Sequence, residues 1–167
     1  TVAAPTPTAF ASDEFGRTVA AGWGTADQGG AWTLGGSTGN FAVGGGIGTI
    51  KLGTAGAGPW AALNGVAQAD VDTTVDVTLD KAATGGGTYF SLADRRTTDA
   101  AGKVSDYRLK VIVGSSGAVT AQLTKVVAGT ETQVAAPVTV AGLTFAAGDT
   151  LRLRLQTTGS GTTTLNG

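Results

Sequence analysis

The sequence predicts an all-β chain built as a two-sheet antiparallel sandwich of jelly-roll type, and three observations carry that prediction. The stretch 69–80, ADVDTTVDVTLD, alternates without a break: Val71, Thr73, Val75, Val77 and Leu79 share one face, while Asp70, Asp72, Thr74, Asp76, Thr78 and Asp80 share the other. A period of two over twelve residues is a strand with one face in a core and one in water. The chain holds 28 glycines and as many threonines, too many β-branched and flexible residues for helices and well suited to short strands joined by tight turns. No stretch of a dozen residues keeps a 3.6-residue period.

The elements follow in order. Residues 1–11, rich in Pro, Thr and Ala, read as a linker or processed N-terminus, and residues 12–167 as one sandwich domain. Short strands are expected near 31–34, 40–43, 48–52 and 59–64. The segment 61–70 allows one helical turn. After the acidic strand come strands near 88–96, 106–113, 118–127, 131–135, 137–141 and 150–157. In DYRLKVIV, Tyr107, Leu109, Val111 and Val113 oppose Arg108, Lys110 and Ile112. In TLRLRLQT, Leu151, Leu153 and Leu155 oppose Arg152, Arg154 and Gln156. Turns are marked by glycine at 44–46, 85–87, 99–103, 115–117, 128–130 and 146–149. If the acidic and basic strands are neighbours, their outward charges form cross-strand ladders.

Composition narrows the function. Hydrophobic residues make up 41% and charged residues 14%, which describes a folded rather than a disordered chain. The net charge of −1 leaves no surplus of cations to neutralise phosphates, so nucleic acid is not an expected partner. There is no apolar run of 18 residues and no membrane insertion is expected. The chain contains no Cys, Met or His. Thiol nucleophiles, imidazole bases, Cys/His zinc sites and disulfides are thereby removed. The glycine runs lack the Lys-Ser/Thr and following helix of a phosphate loop.

Trp23, Trp32 and Trp60 are the largest aromatic side chains. An exposed indole offers a face on which a sugar ring stacks, but Trp32 alternates with Leu34 as a core strand residue does, and Trp23 sits in a glycine-rich turn. Both are read as structural. Trp60, after GAGP, is the indole best placed for exposure.

The opening SDEFGRTVAAGWGTADQGGAWTLGGSTGNFAVGGGIGTIKL resembles that of concanavalin A-like (laminin-G-like) jelly-roll domains in large secreted actinobacterial proteins. The similarity extends through VDTTVDVTLDKAATGGGTYFSLADRR, DYRLKVIV, GAVTAQLTKVVAGTETQV and GLTFAAGDTLRLRLQTTGSGTTTL. The resemblance implies an extracellular or cell-surface setting and a module that binds or displays rather than catalyses. Hydrolases of this fold carry an acidic E-x-D-x-x-E strand, and a glycosidase needs two acids about 5–9 Å apart on one face. No such strand occurs here. The expected ligand is a polysaccharide or surface glycan, held by Tyr89, Arg96, Tyr107 and Arg108 with Trp60 at the edge, a set chosen from alternation and from the fold. No cofactor is expected beyond a structural calcium at Asp13, which the broader fold implies. In the family, further strands follow the segment TTTLNG and close the jelly roll. Here those strands are cut away, lie elsewhere, or come from another chain by strand addition. The alternative function is therefore a structural unit of a surface fibre or phage tail that assembles by strand exchange at an open edge.

Overall fold

The computed structural model describes residues 8–167, so most of the linker expected over 1–11 lies outside the described residues. Among the described residues the chain is all-β with antiparallel pairing, and the one helical element there is a single 3-10 turn at Thr38–Asn40. It falls into two compact units that divide between Ala67 and Gln68.

The first unit has little regular structure. Strand β1 (Thr33–Gly35) pairs with β4 (Trp60–Ala62), and β2 (Phe41–Gly44) forms a hairpin with β3 (Ile47–Ile50). Isolated bridges join Ser12 to Gln28, Val19 to Val43 and Thr25 to Ala31. The helical turn allowed over 61–70 does not form; a single tight turn at Asn64–Gly65, closed by the Val66 amide on the Leu63 carbonyl at 3.1 Å, takes its place. Gly65 and the polar Gln68 and Asp70 leave no apolar stripe that could hold a helix in place. The core is aromatic: Trp23, Phe41 and Val43 are buried, with Phe15, Val19, Trp32 and Leu34 packed on them. The rings of Trp23 and Trp32 meet edge to face at 5.0 Å, and Trp23 meets Phe15 and Phe41 the same way at 5.2 and 6.0 Å. Two glycines make room for rings. A Cβ on Gly48 would lie 2.6 Å from the Phe15 ring, and one on Gly35 would lie 2.0 Å from the Trp60 indole.

The second unit is the two-sheet sandwich. One sheet runs in the order β10 (Val138–Thr144), β8 (Ala118–Val127), β7 (Val104–Val113), β6 (Thr88–Thr98), with β9 (Thr130–Gln133) beside β10 on the same edge of β8. The other is β12 (Thr164–Asn166), β11 (Thr150–Thr158), β5 (Val71–Thr78). The alternation seen in sequence is the alternation of burial. Leu151, Leu153 and Leu155 face Leu109, Val111, Val113 and Val119 across the core, with Val75, Val77, Phe90 and Leu92 around them. Leu155 is fully buried. On the outer face of β5–β11, Arg152 grips Asp76 through two hydrogen bonds of 2.7 Å, and Arg154 grips Asp72 at 2.8 and 2.6 Å. This is the expected ladder. The other basic strand, β7, belongs to the opposite sheet and finds different acids.

Candidate functional site

Strand β6 contains an irregularity in its pairing with β7 that re-aims side chains. Asp94 pairs with Tyr107 and Thr97 with Ser105, so Arg95 and Arg96 together oppose the single residue Asp106. Such a bulge inserts one residue and bends the strand. Arg95 takes the cost, with φ of 53°, a left-handed conformation that a long side chain adopts only when its surroundings impose it. As a result the two consecutive arginines part. Arg96 reaches Asp106, which also accepts Arg108 at 2.6 and 3.0 Å. Arg95 turns to the Gly159 carbonyl and the Thr163 hydroxyl. The Asp106 side chain is fully buried between its two guanidinium groups.

Cross-strand pairing places Arg108 on the same outer face as Tyr89, Ser91, Lys110, Ile112 and Gln122. Lys110 Nζ stands 5.9 Å from the Tyr89 ring centre and 3.4 Å from both Glu131 carboxylate oxygens. An exposed aromatic ring, a cation and a carboxylate thus cross the sheet in one row from β6 to β9. Tyr89 is 53% exposed, the most open ring of the sandwich.

The five residues expected to form one face do not all share it. Arg96 and Arg108 meet on Asp106, and Tyr89 stands on the face of Arg108. Tyr107 points the opposite way, because neighbours along a strand face opposite sides. Its hydroxyl donates to Thr163 Oγ1 at 3.2 Å, and it lines an open cleft of about 560 Å³ with Leu123, Lys125, Gln133, Val134 and Leu165. Trp60 lies in the first unit, laid over Gly35 and 36% exposed. Trp23 is buried and Trp32 half-buried. Sequence reasoning passed over Asp106, Lys110 and Glu131. The signal for the bulge was present in DRR, two adjacent arginines where strict alternation would push one into the core.

Asp13 does not offer the calcium site the fold implied. Its Oδ1 accepts the Phe15 amide and Arg17 Nη1, and its Oδ2 accepts Arg17 Nη2 and the Trp32 indole N–H. These four bonds use the carboxylate's acceptor positions, and a guanidinium already stands where a cation would. The Arg17 pairing, joined by the Trp32 and Phe15 bonds, overcomes burial and holds the Asp13 carboxyl at about 2. Arg17 also donates to the Trp23 carbonyl, so one ion pair ties the two structural tryptophans together.

The acids on the β5–β11 face are also committed to arginines. Arg154 lowers Asp72 to about 2, and Arg152 lowers Asp76. Asp94 alone among the shifted acids moves up, because burial outweighs the hydrogen bonds from Thr73 and Thr157. Both its oxygens are occupied by those hydroxyls, and its residue is 4% exposed. Among the described residues no three acidic groups gather as a metal site. Comparison with family models, curated proteins and solved structures finds no match.

Proposed function

We propose that the chain is a non-catalytic recognition module of a secreted multidomain protein, related to the concanavalin A-like jelly rolls, and that it binds carbohydrate. The observation that carries this reading is the outer row Tyr89–Lys110–Glu131. A sugar ring placed on the open Tyr89 face keeps its hydroxyls at the rim, where the Lys110 ammonium, Glu131 carboxylate and Gln122 amide exchange hydrogen bonds with it. The state of the carboxylates supports the absence of bond-breaking chemistry. A general acid working near neutral pH needs a raised pKa and a reachable proton. The lowered acids hold no proton there, and Asp94 is enclosed by threonines. The test is a glycan array followed by calorimetry on the best ligand. Tyr89→Ala weakens binding by about tenfold or more, in the range of a lost stacking contact. A flat array for the unaltered protein overturns the reading.

A second reading, a structural unit that assembles through an open strand edge, is favoured by β10. All seven of its residues are exposed.

A further inference from the structure

The second unit holds a recess of about 230 Å³ that is formed entirely by β6, β7 and β8. Arg95 and Thr97 come from the first strand, Ser105 and Tyr107 from the second, Lys125 and Val127 from the third. Tyr107 pairs with Lys125 and Thr97 with Ser105, so these four share one face of the sheet. Tyr89, Arg108 and Lys110 stand on the other. The β6 bulge supplies one of the recess's cations: Arg96 takes the place opposite Asp106, and Arg95 is left on the side of Tyr107.

The positive charge here is poorly answered. Arg95 donates Nη1 to the Thr163 hydroxyl and Nη2 to the Gly159 carbonyl, both neutral acceptors. Its Nε is buried without an acceptor. The carboxylate it reaches, Asp70, stands 3.7 Å from Nη2, is 71% exposed, and already accepts the Gly159 amide. The Asp106 carboxylate is enclosed by Arg96 and Arg108 and meets an incoming ligand already neutralised. Lys125 forms no ion pair or hydrogen bond with the described residues. Ser105 Oγ accepts the Ala128 amide, which leaves the hydroxyl proton to donate. A guanidinium held at a left-handed backbone position with an idle nitrogen is a costly way to fasten a loop, and strain of this kind marks sites whose surroundings have another use for it.

We propose that this recess is a binding site for a carboxylate group. The Lys125 ammonium and the Ser105 hydroxyl give the acid group its hydrogen bonds, and Arg95, whose side chain is only 17% exposed, adds a positive charge that water screens weakly. One free ammonium and one guanidinium partly answered by Asp70 match a singly charged group. Both Arg95 Nη atoms are already engaged, so the fork that would grip a phosphate is not offered. The recess is smaller than the about 300–1,000 Å³ of sites that enclose a whole ligand, so it takes the acid-bearing end, with Val127 as an apolar wall beside it. That end belongs either to a small free acid or to an acidic sugar.

The test is titration followed by the amide resonances of the protein, at constant low ionic strength, with acetate, glucuronate, inorganic phosphate and the neutral methyl glucoside as probes. Acetate and glucuronate are expected to move the amides of Ser105, Tyr107 and Lys125, and methyl glucoside to leave them in place. Tighter binding of glucuronate than of acetate identifies the acidic sugar as the source; equal affinity identifies the free acid. Lys125→Gln, at an exposed side chain, weakens both acids by about tenfold or more. Lys81→Gln removes the same charge from another exposed position and leaves the affinity unchanged, as does Tyr89→Ala on the opposite face. Amides that do not move with either acid, or an affinity that survives Lys125→Gln, overturn the site. Phosphate bound more tightly than acetate overturns its assignment to a carboxylate.

Discussion

In the first unit a carboxylate sits among aromatic rings; in the second, carboxylates of the same kind stand in water on the face of a sheet. Asp13 and Asp72 are both held near 2 by an arginine. The Asp13 side chain is 4% exposed, whereas that of Asp72 is 47% exposed. The first unit has few ladder bonds and depends on aromatic contacts fixed in angle by polar anchors: Trp32 on Asp13, Trp23 on the Thr49 carbonyl, and Arg17 on Asp13 and the Trp23 carbonyl. The second has long paired strands and an aliphatic core, and its surface charges are additions to a structure that stands on burial. The same ion pair is therefore expected to be structural in one unit and nearly idle in the other.

The largest effect comes from removing the anchor. Asp13→Ala leaves the Trp32 indole and the Phe15 amide without their acceptor and the Arg17 guanidinium without its counter-charge, and is expected to cost about 3–5 kcal/mol. All three tryptophans belong to the first unit and both tyrosines to the second, so tryptophan fluorescence during denaturation reads the first unit directly. The denaturation midpoint of that signal should fall; a midpoint that holds would remove Asp13 from the centre of the unit. The counterpart in the sandwich is Leu155→Ala, which opens a cavity at a fully buried site and costs about 2–5 kcal/mol. Its effect should appear in the far-ultraviolet dichroism of the strands.

These two cases also mark how far the sequence could be read. The sandwich was legible because a strand with one wet face writes its burial directly into a period of two, as Leu151, Leu153 and Leu155 do. The first unit has no such period. Its order comes from contacts such as Phe15 on Gly48 and Trp60 on Gly35, which join residues far apart in sequence and leave only glycines as a trace. Asp13 was singled out, but for a metal, since nothing local says that Trp32 would reach back to it. At the candidate site, alternation alone separates Tyr107 from Arg108, and grouping them overrode that pattern. The bulge that brings Arg96 to Asp106 breaks alternation, and a break can be placed only by knowing the partner strand.

A smaller effect, of opposite sign, is expected at Asp94. Its pKa is raised in the folded state because burial disfavours the charge. A carboxyl that is easier to protonate when folded costs stability above its folded pKa, and that cost is relieved as pH falls through it. Asp94→Asn keeps the shape and removes the charge, with Oδ1 and Nδ2 able to satisfy Thr73 and Thr157. The variant should be more stable at pH 7 and should lose that advantage in acid. A loss of stability at pH 7 would show that the charged form is the one the threonines hold.

The smallest effect is at the ladder, and salt separates it from the anchor. Asp13 and Asp72 both have folded pKa values below the ordinary 3.8, so each contributes stability that is complete above about pH 4 and lost as pH falls toward 2. For Asp13 the 4% exposure of its side chain leaves little room for counter-ions, and the contribution, about 2 kcal/mol, should persist in 1 M salt. Arg152 and Asp76 are 74% and 47% exposed, and Arg154 is 61% exposed, so salt reaches both pairs. Arg152→Ala and Arg154→Ala are each expected to shift the thermal midpoint slightly at low ionic strength and not measurably in 1 M salt. The acid unfolding curve read by tryptophan should then keep its position in high salt. If it moves with salt as far as the ladder variants do, the Asp13–Arg17 pair is as hydrated as its counterparts on the sheet, and the contrast between the units fails at its root.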